Sequence, residues 1–257
     1  MPVRLFMLTD LHYAPGYVAP PTRFCGDSLR KIRQIADALR GADLCVQLGD
    51  LINGTGDARR DASALQEALQ ELSVYRFHHV LGNHDAFSVG KNGILPHTAG
   101  VGCMDRFSLG GVDFLTLDGN FRQDGGEYSS PGGDWKDAAI PSAQLAALER
   151  FLWESRGAVV FCHQNLDDCP EDPHVLRNAG EVRALLEKSG KVRYVFQGHC
   201  HAGRDTVTAG IRYHTLPALC EEDGIPYCIA DIYTWDRIIV QDYEERLCPG
   251  FGSVRNE

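Results

Sequence analysis

The stretch VRLFMLTDLH, residues 3–12, joins an apolar run to a polar cluster. Val3 to Thr9 reads as a short buried strand, because a continuous apolar run of this length leaves no face for solvent. Asp10 and His12 stand just beyond its end. The same figure recurs in LCVQL (44–48) before Gly49–Asp50, and in FHHVL (77–81) before GNHD (82–85). Helical patterns fill the gaps. SLRKIRQIADALRGA (28–42) places Leu29, Ile32, Ile35, Ala36 and Leu39 near helical spacing, with Ser28 as N-cap and Gly41 at the stop. DASALQEALQELS (61–73) places Leu65, Ala68, Leu69 and Leu72 on one face. Strands alternating with helices imply a parallel sheet, whose ligand sites gather at the carboxyl ends of the strands. The three polar clusters therefore converge.

Farther along, RFSLGGVDFLTLDGN (106–120) has two short apolar segments around Gly110–Gly111, a hairpin signal. Residues 119–137 are rich in Gly and Ser without a period, long enough for a lid or a substrate rim. PSAQLAALERFLWES (141–155) and GEVRALLEKSG (180–190) read as helices. AVVFCHQ (158–164) and VRYVFQGHCH (192–201) repeat the strand-then-histidine figure. Residues 205–243 alternate short β-rich runs with Gly and Asp turns, a β-meander. Without a convincing linker, residues 1–257 are expected to form one domain.

The composition narrows the function. A hydrophobic fraction of 44% and a charged fraction of 23% are ordinary for a globular chain. No apolar run reaches the ~20 residues of a membrane span, and MPVRLFMLTD lacks a signal h-region, so a cytoplasmic protein is expected. A net charge of −10 without a basic block disfavours nucleic-acid polymers and anionic membranes as partners. The nine cysteines include no CxxC pair, which argues against a thiolate zinc site and for a reducing compartment.

The strand-end clusters supply Asp10, His12, Asp50, Asn83, His84, Asp85, His163, His199 and His201. One metal takes four to six donors. Asp85 aside, two carboxylates, an amide oxygen and five imidazoles exceed that and suit two first-row metals. Two metals ~3.5–4 Å apart can hold an attacking hydroxide and neutralise a phosphoryl oxygen. A bridging ligand must donate to both, as a carboxylate does, and Asp50 is the natural bridge. His84 is then left to protonate the leaving group or stabilise charge, with Asp85 orienting it.

In its order of motifs the sequence resembles the calcineurin-like metallophosphoesterases: DLH (10–12), GD (49–50), GNHD (82–85), a lone His163 and GHCH (198–201). The resemblance spans residues 10 to 201. It implies a four-layer α/β/β/α sandwich of two mixed β-sheets flanked by helices, with the tail after residue 201 completing the second sheet. It also implies that Asp10, His12, Asp50 and His201 bind one metal, that Asp50, Asn83, His163 and His199 bind the other, and that His84 lies near the leaving group. Asn53 stands where purple acid phosphatases carry a tyrosine, which disfavours a ferric-tyrosinate centre. The full histidine set is similar to class III cyclic-nucleotide phosphodiesterases. The stretch from Phe161 to His201 also resembles ADP-ribose/CDP-alcohol diphosphatases, a group that often has Gln where His12 stands.

The expected activity is hydrolysis of a small-molecule phosphodiester. The alternatives are a diphosphatase acting on nucleotide-linked substrates such as ADP-ribose, and a non-catalytic scaffold, which the complete donor set disfavours. Histidine-rich N/O sites accept Mn, Fe or Zn alike. Arg23, Tyr128, Trp135, Asn165, His174 and Arg204 fall in loops near the motifs and are candidates for substrate binding, an Arg fork suiting phosphate and an aromatic face suiting a base. A homo-oligomer is compatible with the sequence.

Overall fold

The computed structural model describes residues 1–17, 22–94, 104–128, 134–169 and 171–248. His97 and residues 129–133 of the 119–137 loop lie outside them. The strands are β1 (Val3–Leu8), β2 (Leu44–Gln47), β3 (Phe77–His79), β4 (Met104–Leu109), β5 (Val112–Leu117), β6 (Phe121–Arg122), β7 (Ala138–Ala139), β8 (Ala158–Cys162), β9 (Val192–Gln197), β10 (Arg204–Thr208), β11 (Ile211–Thr215), β12 (Gly224–Thr234) and β13 (Arg237–Arg246). The helices are α1 (Ser28–Gln34), α2 (Ala36–Arg40), α3 (Ala58–Leu72), α4 (Asn83–Ile94), α5 (Ser142–Glu154) and α6 (Ala179–Ser189). No helix among the described residues is long and apolar enough to cross a membrane.

The strands form two large mixed sheets, in the orders β13-β12-β1-β2-β3 and β10-β11-β9-β8-β5-β4, and β6 pairs with β7. In the first sheet β1, β2 and β3 run parallel, and in the second β5, β8, β9 and β11 do. Alternation along each central strand builds the layers. In β1, Leu5 and Met7 enter the core between the sheets, while Phe6 and Leu8 face the helices. In β8, Val159 and Phe161 point into that same shared core and Val160 and Cys162 toward α5 and α6. Both faces are covered, so these strands are apolar apart from Arg4 near the start of β1. The result is the expected four-layer sandwich.

Three local expectations are corrected. The first helix is two, broken at Ile35, and Asp27 precedes it; the Ser28 hydroxyl donates to the Leu11 carbonyl instead of capping. A helix, α4, begins at Asn83, where the sequence offered only a polar cluster at a strand end. The tail does not simply complete the second sheet. The β10–β11 hairpin extends it beside β9, while the β12–β13 hairpin crosses to the first sheet and pairs with β1.

Candidate dimetal centre

The carboxyl ends of β1, β2, β8 and β9 meet at one place, and the turns leaving them are strained. Four of the six non-glycine residues with positive φ among the described residues are Asp10 (53°), His12 (44°), Asp50 (55°) and His199 (69°). Such conformations persist only where the surroundings over-determine them. Here the Asp10 amide donates to the Gly49 carbonyl and the His12 amide to the Asp50 carbonyl, both at 3.0 Å. The glycines of the motifs have a steric cause. A Cβ on Gly82 would overlap Asp50, and one on Gly198 would overlap Thr9 and crowd the Asp10 carboxylate.

The donors fall into two groups that share Asp50. In the first, His12 Nε2 lies 3.5 Å from Asp10 Oδ1, 3.5 Å from Asp50 Oδ2 and 3.2 Å from His201 Nε2. In the second, His163 Nε2 lies 3.3 Å from Asp50 Oδ2 and 3.1 Å from Asn83 Oδ1, with donor atoms of Asp50, His163 and His199 mutually within 4.8 Å. Asp50 Oδ2 thus faces both groups, while its Oδ1 accepts from the His84 amide at 2.8 Å.

The imidazoles are oriented from behind. His12 Nδ1 lies 3.2 Å from Asn53 Oδ1, His163 Nδ1 donates to the Leu48 carbonyl at 2.8 Å, and His201 Nδ1 donates to Glu221 Oε1 at 2.7 Å. Each partner directs the Nε2 lone pair inward. Two inward lone pairs 3.2 Å apart, at His12 and His201, repel unless a cation or proton lies with them. The buried atoms Asp10 Oδ1 and His199 Nε2 have no hydrogen-bond partner. The donor set therefore fits a pair of cations.

The electrostatics agree. Burial opposes ionisation of Asp10 and Asp50, yet His12 and His201 beside Asp10, and His163 and His84 beside Asp50, hold both carboxyls well below the usual range. In return, against the cost of burial, Asp50 raises His163 to about 9, and Asp10 helps raise His201 to about 11. Burial keeps His12 and His199 low. Protons occupy part of the positive charge the carboxylates demand.

The other expected residues divide. His84 borders the first group, its ring edge-on to His12 at 4.5 Å and its Nδ1 bonded to the Asn53 carbonyl. Asp85 does not orient it. Its buried carboxylate accepts from the Leu51, Ile52 and Gly82 amides at 2.9, 3.1 and 3.1 Å, pinning the turn after Asp50 to the start of α4. Trp135 and His174 flank the second group, with rings 5.3 and 5.0 Å from that of His199. Arg23 reaches Glu221 at 3.4 Å. Tyr128 is buried, packed near Phe87 rather than presented at a rim. Asn165 is buried and its amide nitrogen is spent on the Gly198 carbonyl and Thr215 Oγ1, while its Oδ1 has no hydrogen-bond partner. Arg204 offers no free fork, being paired with Asp167 at 2.8 Å and Asp172 at 2.7 Å. Asn53 and Glu221, which orient ligand-type histidines, escaped sequence reading. Asn53 had only its spacing from Asp50 to mark it, and Glu221 had no signal at all.

Comparison with known proteins gives a consistent picture. The family model for calcineurin-like phosphoesterases matches residues 3–203. The 3',5'-cyclic adenosine monophosphate phosphodiesterase CpdA of Escherichia coli K12 is 30% identical over 191 residues, covering 70% of this chain and 64% of that protein. The match thus spans just under two thirds of the relative's length. A dimetal phosphatase from Danio rerio superposes with a TM-score of 0.78 at 21% identity, covering 96% of this chain and 100% of that one. A purple acid phosphatase from yellow lupin superposes with a TM-score of 0.67 at 11% identity, covering 94% and 51%. At these identities the two structures speak for the fold alone.

Proposed function

The chain belongs to the calcineurin-like phosphoesterases, and from that premise we propose that it is a dimetal-dependent phosphodiesterase acting on a small nucleotide-type diester. The observation that carries the reading is the position of Asp50 Oδ2, 3.5 Å from His12 Nε2 and 3.3 Å from His163 Nε2. Asp10, His12, Asp50 and His201 would hold one ion; Asp50, Asn83, His163 and His199 would hold the other. Two such ions, of Mn, Fe or Zn, supply an activated water and neutralise charge on the phosphoryl oxygens. Donors from both sheets compose the centre, which supports treating residues 1–257 as one domain.

The chain's own residues do the rest. His84 Nδ1 is committed to a carbonyl and so carries a hydrogen, and only as the imidazolium, with a second hydrogen on Nε2, can the ring hand a hydrogen bond or proton to the departing oxygen. Trp135 and His174 give the opposite flank an aromatic wall suited to a nucleoside. The net charge of −10 disfavours polymeric nucleic acid. The curated relative's name, a cyclic AMP phosphodiesterase, supports the substrate class. A second reading, cleavage of a pyrophosphate bond as in ADP-ribose, draws on a groove of about 930 Å³ beside His201, lined in part by Tyr227 and Tyr243, with room for a second half of the substrate.

Both readings are tested by loading the protein with Mn²⁺ and following a cyclic diester, a monoester and ADP-ribose together by phosphorus NMR. The diester should disappear first. Faster loss of ADP-ribose would favour the second reading, and no turnover with metal bound would return the scaffold. His84→Ala should slow diester cleavage by roughly 10²–10⁴-fold and pyrophosphate cleavage by less, because phosphate departs without a proton. Equal losses would remove His84 from the leaving group.

A further inference from the structure

Lys31, in α1, is fully buried and takes no part in the donor set. A buried ammonium ordinarily has a carboxylate partner, since an unpaired desolvated charge is costly. Among the described residues none lies within ion-pair distance of Lys31. Its Nζ donates instead to three carbonyls of a single turn: Leu219 at 2.6 Å, Glu222 at 2.8 Å and Glu221 at 3.2 Å. That exhausts the donors of an ammonium. Burial pulls its pKa down to about 8, against the opposing charges of Asp27, Asp223 and Glu221.

The turn it grips is stitched to the centre. The Ala218 amide donates to the His201 carbonyl, Leu219 to Thr9 and Cys220 to Asp10, each at 3.0 Å. Glu222 is held at a φ of 41°, a left-handed conformation that a long side chain adopts only under constraint. From this turn Glu221 reaches His201 Nδ1 at 2.7 Å. No comparable clamp is needed for His163, whose partner is a carbonyl at the end of β2.

We propose that Lys31 is a positioning residue for the His201 side of the centre: by fixing the 219–222 carbonyls it sets Glu221 against His201 Nδ1 and so aims Nε2 toward Asp10 Oδ1, 3.5 Å away. The inference rests on the dimetal reading. It adds a residue of α1, outside every motif, to the apparatus that governs one of the two ions.

The test is equilibrium dialysis against Mn²⁺, with metal content measured for the native chain, Lys31→Met, Glu221→Ala and the double variant, and with folding checked by circular dichroism. The native chain should bind two ions. Lys31→Met should keep one at native affinity and weaken the other by roughly 10–100-fold, the range for lost outer-shell partners. In the Glu221→Ala background the same change should add little, because the two act in series. Unchanged affinities in Lys31→Met, equal weakening of both ions, or losses that multiply in the double variant would each overturn the proposal. A native chain that binds fewer than two ions would instead overturn the dimetal reading, and that failure shows before any variant is made. If Lys31→Met does not fold, Lys31→Gln, which keeps two N–H donors for the turn, carries the same comparison.

Discussion

The two halves of the candidate centre are built differently. Around His163 the supports belong to the scaffold: a fully buried ring, a strand-end carbonyl at Leu48 and Asn83 in the first turn of α4. Around His201 they are borrowed: Asn53 from a loop behind His12, Glu221 from a turn in the tail, and a ring that stays partly exposed. Backbone in a sheet moves little, whereas a side-chain partner must be ordered at an entropic cost. The first half is thus rigid by construction and the second by assembly, so the first ion taken up should occupy the His163 half. Two adjacent pockets that share a carboxylate need not bind with equal affinity.

The sharpest way to break this comparison is Asp50→Asn. If Asp50 serves both halves, both affinities should fall by more than the ~100-fold that outer-shell losses reach. Retention of one ion by metal analysis would show that the halves do not share it. A finer separation comes from pH. With His163 raised to about 9 and His201 to about 11, each ion must displace a proton below those values, so acid weakens binding by about tenfold per pH unit for each proton released. Below pH 9 both ions should show this slope. Between pH 9 and 11 only the His201 ion should, and a parallel dependence of both in metal titrations would erase the distinction. The smallest effect is expected from Asn53→Ala, which should weaken the His12–His201 ion by roughly 10–100-fold and leave the other untouched.

How much of this was legible depended on where the physics was local. Strands apolar on both faces announced themselves, and so did the polar clusters at their ends, because burial and ligation act on neighbouring residues. The start of α4 was hidden, since GNHDAFSVGKNGI has no clean apolar stripe and even bends at Gly90. That helix is held by Asp85 bonding backward and by Lys91 buried against Asp118 at 2.7 Å. The division of the tail between two sheets was equally invisible, because which edge a hairpin joins is settled by distant strands. Arg204 and Asn165 had the right chemistry for a substrate, yet each is spent inside the fold. A side chain's type is written in the sequence; whether it is free to act is not.

The pairing of β1 with β12 has a consequence in time. Met7 lies opposite Cys228, so the strand that carries Asp10 gains one of its two neighbours only when residues roughly 220 positions later have been synthesised. As the chain leaves the ribosome, β1, β2 and β3 emerge early with one edge unpaired, and such long-range closure is intrinsically slow. Glu221 arrives in that same late segment. Until that segment has emerged, β1 keeps an open edge and His201 lacks its Glu221 partner, so the donor set is fully oriented only after the β12–β13 hairpin has joined the first sheet.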